Sequence, residues 1–398
     1  MPLGWIDFSK SERNKVLSVL DLLMEQGTLD ELGIAPIRDG FANLFFPGTS
    51  TIQTRAKYFL IVAYALKDIE LDKETNPNRC AKHFNEIERR CGEQFLSAGI
   101  DTEGIIGSRS LRQNSWVKRT PADIYWAGLR SYGIVRGNVT FNEFVRAICV
   151  MKQDEAELLK LGNRNDESED KDADDKDAGG HHRLQFLNIP TYDPGWIKDL
   201  RITLTEDEGS FLKMQIMHSF PDSMLAHILR NNMTEVLDCE TFQDLERYMH
   251  MFSDEIQRNY RLAIQFSDFL YALRILYNII VSDGANEDAN IEWTMIKNQL
   301  NELANVDLEL IYKKLDIYRN PMLCKFLNTC QELMKKEDIE GLKAEICKRE
   351  RFLKHERAKT MHPGEFNPTD WFGGRALGYR FNNARTIVRD IWESESLC

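Results

Sequence analysis

The stretch FFPGTSTIQTRAKYFLIVAYAL, Phe45–Leu66, limits the fold more than any other part of the sequence. Pro47-Gly48 is a turn dipeptide, and Thr49, Ser50 and Thr51 follow it as candidate caps for a helix beginning near Ile52. After Lys57 the run keeps almost no polar face, which on periodicity means a helix buried on most sides. Such a helix must be wrapped, and the rest of the chain reads as helices packed around it. The run is too short to span a bilayer, which takes roughly 20 apolar residues.

The polar residues of this stretch gather at its start. Gln53, Thr54, Arg55 and Lys57 lie where free backbone N–H groups and the helix dipole favour an anion. Two readings stay open. Either a phosphate docks among Thr49, Ser50, Thr51, Gln53, Arg55 and Lys57, or Arg55 pairs with Asp39 or a neighbouring acid and the turn is a tight lead-in to a core helix.

With 398 residues, 42% of them apolar, the chain can bury a large core and divide into domains. A net charge of -12 argues against wholesale coating of nucleic acid, so local patches decide binding. The eight cysteines form no CxxC pair and no metal-ligand cadence with the eight histidines, and read as reduced thiols. We therefore expect no cofactor and no metal. The amino terminus lacks a secretory pattern and no window reads as membrane-spanning, which gives a cytoplasmic expectation without membrane contact.

The expected fold is mainly α, multi-helical and two-domain. An amino-terminal domain covers residues 1–160, an acidic linker 161–183 and a carboxy-terminal domain 184–398. Ser9 or Ser11 caps a first helix running to about Glu25. Thr120-Pro121 opens another helix that stops at Gly133, and a third starts at Thr140. That pair is compatible with a helix-turn-helix or winged-helix module and also with any helical hairpin. The run NRNDESEDKDADDKDAGGHH cannot bury apolar surface and reads as a mobile linker. Thr205-x-x-Glu208 is a capping box, and the longest helix is expected over Ser253–Val281.

Two segments are basic within this acidic chain. Between Arg109 and Arg146 seven Arg or Lys, including Lys118, Arg119 and Arg130, face two acids. From Lys343 to Arg389 eleven face five, and Trp371, Phe372, Tyr379 and Phe381 interleave with Arg375, Arg380, Arg385 and Arg389. Arginine beside exposed aromatics suits phosphate contacts and base stacking. The other reading is that the aromatics dock the segment on the core while the arginines pair with acids. No Walker loop, GxGxxG, GxSxG or HExxH is present, so no catalytic residue can be named.

GWIDFS at Gly4–Ser9, ELGIAPIRD at Glu31–Asp39, FPGTSTIQTRAKYFL at Phe46–Leu60 and Pro121-x-x-Ile124-Tyr125-Trp126 carry a resemblance. So do TLTEDEGSFL and Leu276-Tyr277-Asn278. Over nearly its whole length the chain resembles an uncharacterised bacterial family, a domain of unknown function. Members are met in genomic defence islands beside helicases, DNA methylases and phospholipase-D-like nucleases. The resemblance implies an anti-phage setting and supplies no catalytic residues. The expected function is a non-enzymatic defence component that binds DNA or RNA, a helicase or nuclease partner, or both. The alternatives are a divergent metal-dependent nuclease and a structural adaptor of a multi-protein complex.

Overall fold

The computed structural model describes residues 30–97, 99, 103–165 and 186–395. The expected helix from Ser9 or Ser11 to Glu25 lies outside them, as does the acidic stretch from residue 166 to 185. The fold is mainly helical. In chain order the helices are α1 (Ala35–Phe45), α2 (Lys57–Leu71), α3 (Pro77–Ser97), α4 (Ser108–Arg112), α5 (Pro121–Ser131) and α6 (Phe141–Asn165). There follow α7 (Glu206–Ser219), α8 (Met224–Arg230), α9 (Asp254–Val281), α10 (Glu287–Ile296) and α11 (Leu300–Leu303). The last are α12 (Leu308–Leu315), α13 (Pro321–Lys335), α14 (Ile339–Lys354) and α15 (Phe381–Glu395).

The chain falls into two compact units, each assembled from stretches far apart in sequence. The first comprises Ala42–Gln257 and Gly378–Cys398. At its centre α2 is buried from Lys57 through Leu66, as its unbroken apolar run demands. It packs on α3 and α5, where the Phe59 ring meets Tyr125 at 4.8 Å and Tyr132 at 5.3 Å. The capping boxes at Thr120 and Thr205 form, each hydroxyl accepting from the backbone N–H three residues on. α15 lies along α7, and the approach is close because Gly209 has no side chain: a Cβ there would overlap Ser394 Oγ.

Two expectations need correction here. The helix after the Pro47-Gly48 turn begins at Lys57, not near Ile52, and Ala56 at its cap position offers no side-chain acceptor. Residues 49 to 56 are spent on a loop that Tyr125 and Asp390 hold, as described below. The hairpin of a winged module is also missing among the described residues. The β pairing near α5 and α6 is an isolated antiparallel bridge between Val135, which lies between these helices, and Leu187.

The second unit comprises Met1–Phe41 and Arg258–Leu377. Its α9 residues Phe266, Phe269, Leu270, Leu273 and Leu276 are fully buried, and α13 packs on α14. By length and apolarity α9 could cross a membrane, contrary to the sequence expectation, but 67% of that window is buried by protein. Glu350 is buried completely and accepts from Tyr277 Oη at 2.6 Å, Lys354 Nζ at 3.2 Å and Thr360 N at 3.0 Å. Burial opposes its charge, but these donors outweigh it and hold the carboxyl below its ordinary range.

Candidate nucleic-acid interface

The Pro47-Gly48 turn is fastened by its own side chains and by α5. Tyr132 Oη donates to Pro47 O at 2.8 Å, and a Cβ at Gly48, whose φ is +76°, would lie 2.5 Å from the Tyr132 ring. Only glycine fits there. Thr49 Oγ1 donates to Phe46 O at 2.6 Å; Gln53 accepts from Ser50 N at 3.1 Å and donates to Gly48 O at 3.2 Å. Thr49 and Gln53 are buried, whereas Thr51 is exposed. Tyr125 Oη accepts from Thr54 N at 2.8 Å and Arg55 N at 3.1 Å, and donates to Arg55 O at 2.8 Å.

A carboxylate of the protein itself occupies the anion position at the start of α2. Asp390 Oδ2 accepts from Ala56 N at 2.7 Å, and Arg55 Nε and Nη2 reach Asp390 Oδ1 at 2.9 and 2.8 Å. Burial pushes the Asp390 carboxyl up, opposed by the Arg55 guanidinium and the Ala56 N–H. Lys57 is also engaged. Its Nζ lies 2.6 Å from Glu208 Oε2, both side chains only 6% exposed, and the same oxygen accepts from Thr205 N at 2.8 Å. Of the two readings of Arg55, the acid pairing is the one found, with Asp390 in place of Asp39.

Arg375, Arg380 and Arg385 of the carboxyl end are spent on structure as well, while Arg389 is exposed. Arg380 Nη1 donates to Asn43 Oδ1 at 2.7 Å and to Thr49 O at 2.8 Å, and Arg385 donates to Cys239 O. Asn383 Nδ2 donates to Gln53 O at 2.7 Å. The 47–56 loop is thus a saddle for α15. In the second unit Arg375 pairs with Asp288 and Glu292 and lies over the Trp371 ring at 4.5 Å.

The cations of Ser108–Thr120 are placed otherwise. This segment contains no Asp or Glu. Gly107 with φ +79° and Asn114 with φ +54° bracket α4, and the Trp116 ring packs against Gly92 and Gly107. Arg109, Lys118 and Arg119 stay exposed, and none has an ion-pair partner among the described residues. Arg136 and Arg146 are exposed too, while Arg130 is half-buried and donates to Asn138 Oδ1 at 2.6 Å. Beneath the segment Glu88, 1% exposed, accepts from Ala122 N at 2.7 Å. Burial pushes its carboxyl up to about 8, opposed by Ala122 N–H and Thr120 and reinforced by Asp123. No group of three or more His, Cys, Asp or Glu among the described residues could hold a metal ion.

The sequence profile of a family of unknown function, DUF6361, matches residues 1–316. The chain belongs to the DUF6361 family. No curated protein and no solved structure matches it. The DUF6361 match takes in the 47–57 loop, Glu208 and the cationic segment, and ends before α15, which supplies Asp390, Arg385 and Asn383.

Several residues that position the loops escaped the sequence reading. Asn278 exchanges hydrogen bonds with the backbone of Phe372, accepting from its N–H at 2.8 Å and donating to its C=O at 3.0 Å. Arg274 Nη1 donates to Arg375 O at 2.8 Å and Asn286 Nδ2 to Asp370 O at 3.1 Å. Arg274 and Asn278, the only polar residues in the otherwise apolar run Phe269–Val281 apart from the tyrosines, were the available signal.

Proposed function

We propose that this chain is a non-enzymatic component of a bacterial anti-phage system that binds nucleic acid through Arg109, Lys118 and Arg119. It works in the cytoplasm beside a helicase or nuclease. The observation that carries the binding surface is the set of exposed cations on a segment without acids, three of them lacking an ion-pair partner among the described residues. Cations left unpaired in an acidic protein are available to phosphates, whose counterion release drives binding. The resemblance to proteins of defence islands supports the biological setting. Arg375, Arg380 and Arg385, by contrast, are already matched by carboxylates or carbonyls.

Binding of the full chain to duplex and single-stranded DNA and RNA, titrated with salt and with magnesium present, tests this reading. Arg109→Glu/Arg119→Glu should abolish binding and Arg375→Glu should leave it. Magnesium-dependent loss of the DNA would instead favour a nuclease. An adaptor role has one observation in its favour: Ile291 and Met295, one turn apart on α10, are 55% and 67% exposed. Co-purification with a helicase that disappears in Met295→Lys, without nucleic-acid binding, would establish that role.

A further inference from the structure

Cys80 on α3 and Cys149 on α6 meet in the interior of the first unit. Their sulfurs are 3.5 Å apart and the residues are 0% and 1% exposed. A disulfide needs the sulfurs only about 1.5 Å closer, a shift within reach of two side-chain rotations. Their surroundings are specific. Cys80 Sγ donates to Glu74 O at 3.3 Å, and Lys152 Nζ, one helical turn past Cys149, donates to that same carbonyl at 3.0 Å.

We propose that Cys80 and Cys149 form a built-in site of reversible disulfide formation, closed by a small peroxide-class oxidant. The first thiolate attacks one peroxide oxygen, giving a sulfenic acid, and the departing hydroxide takes up a proton as water. The second sulfur attacks the sulfenic sulfur and forms the S–S bond. It expels hydroxide, which takes the second thiol's proton as another water. Two thiols have then lost two electrons and two protons, and one hydrogen peroxide has become two waters. The closed covalent loop, Cys80 to Cys149, encloses α4, α5 and the cations Arg109, Lys118 and Arg119. Oxidation therefore ties the cationic segment to the α3 and α6 core without touching it.

Burial holds the Cys149 thiol up at about 12, with Cys80 and Glu74 raising it and Lys152 lowering it. The thiolate is the reactive form, so the reaction quickens as pH rises. The test treats the full chain with hydrogen peroxide or diamide at pH 9, quenches with iodoacetamide, and maps peptides without reduction. The expected product is a peptide pair linked through Cys80 and Cys149, with the loss of two alkylatable thiols. The melting temperature should rise by roughly 5–10 °C, and dithiothreitol should reverse both changes. Cys91→Ser should leave the linkage intact and Cys149→Ser should remove it. If Cys149→Ser fails to fold, the wild-type peptide map still decides. Separate alkylation of both thiols, sulfinic acid at either, or linkage of Cys80 to Cys91 would overturn the proposal. None of these readouts depends on nucleic-acid binding.

Discussion

Asp390 accepts a hydrogen bond from Ala56 N at 2.7 Å while Arg55 Nη2 lies 2.8 Å from its other oxygen. One carboxylate thereby fills the anion position at the start of α2 and neutralises the arginine beside it. The loop most characteristic of the sequence is consequently a docking saddle. Arg55 and the carbonyls of Thr49 and Gln53 face α15 and the residue before it, while Lys57 pairs with Glu208 on α7.

Asp390→Ala removes one partner of a pair whose carboxylate is 3% exposed and leaves Arg55 uncompensated. Breaking such a pair from one side costs about 3–5 kcal/mol. Urea denaturation should show a loss of that size, and a loss under about 1 kcal/mol would mean the pair is not held as described.

Gly48→Ala meets two obstacles, a φ of +76° and the Tyr132 ring 2.5 Å from the new methyl group. Destabilisation of at least about 2 kcal/mol is expected. Pairing it with Tyr132→Ala in a double-mutant cycle should recover the steric part and leave the backbone part.

Glu88 supplies a pH dependence. Its folded pKa is raised from the ordinary 4.5 to about 8, so the folded state favours the neutral acid. Its contribution is fully present below about pH 4.5 and is lost as pH rises through about 8, amounting to about 5 kcal/mol. Glu88→Gln keeps the acceptor for Ala122 N without the charge. The variant should match wild type at pH 5 and exceed it in unfolding free energy at pH 9; equal stability of the two at pH 9 would refute the buried neutral acid.

What the sequence made legible was local. The Thr120 cap, the Thr205 capping box and the apolar period of α9 depend on neighbours three or four residues away, and they formed as expected. The start of α2 did not. Which donors Asp390 would satisfy depends on the Arg55 pairing made 335 residues along the chain, and no periodicity encodes that. The same reason separates the two basic segments. Both are rich in arginine, but Arg375 and Arg380 face Glu292 and Asn43 across the fold, whereas Arg109, Lys118 and Arg119 face solvent. Asn278 was legible only as part of a motif, because a clamp on Phe372 leaves no trace in spacing.

The most direct test of the account is the salt dependence of duplex DNA binding by the full chain, wild type beside Arg109→Ala/Lys118→Ala/Arg119→Ala. The prediction is a steep fall of log K with log salt in the wild type. The triple variant should have a slope shallower by about 0.9 for each phosphate that the replaced cations had neutralised. Salt-insensitive binding, or a triple variant that binds with the wild-type slope, would contradict the assignment of this surface to nucleic acid.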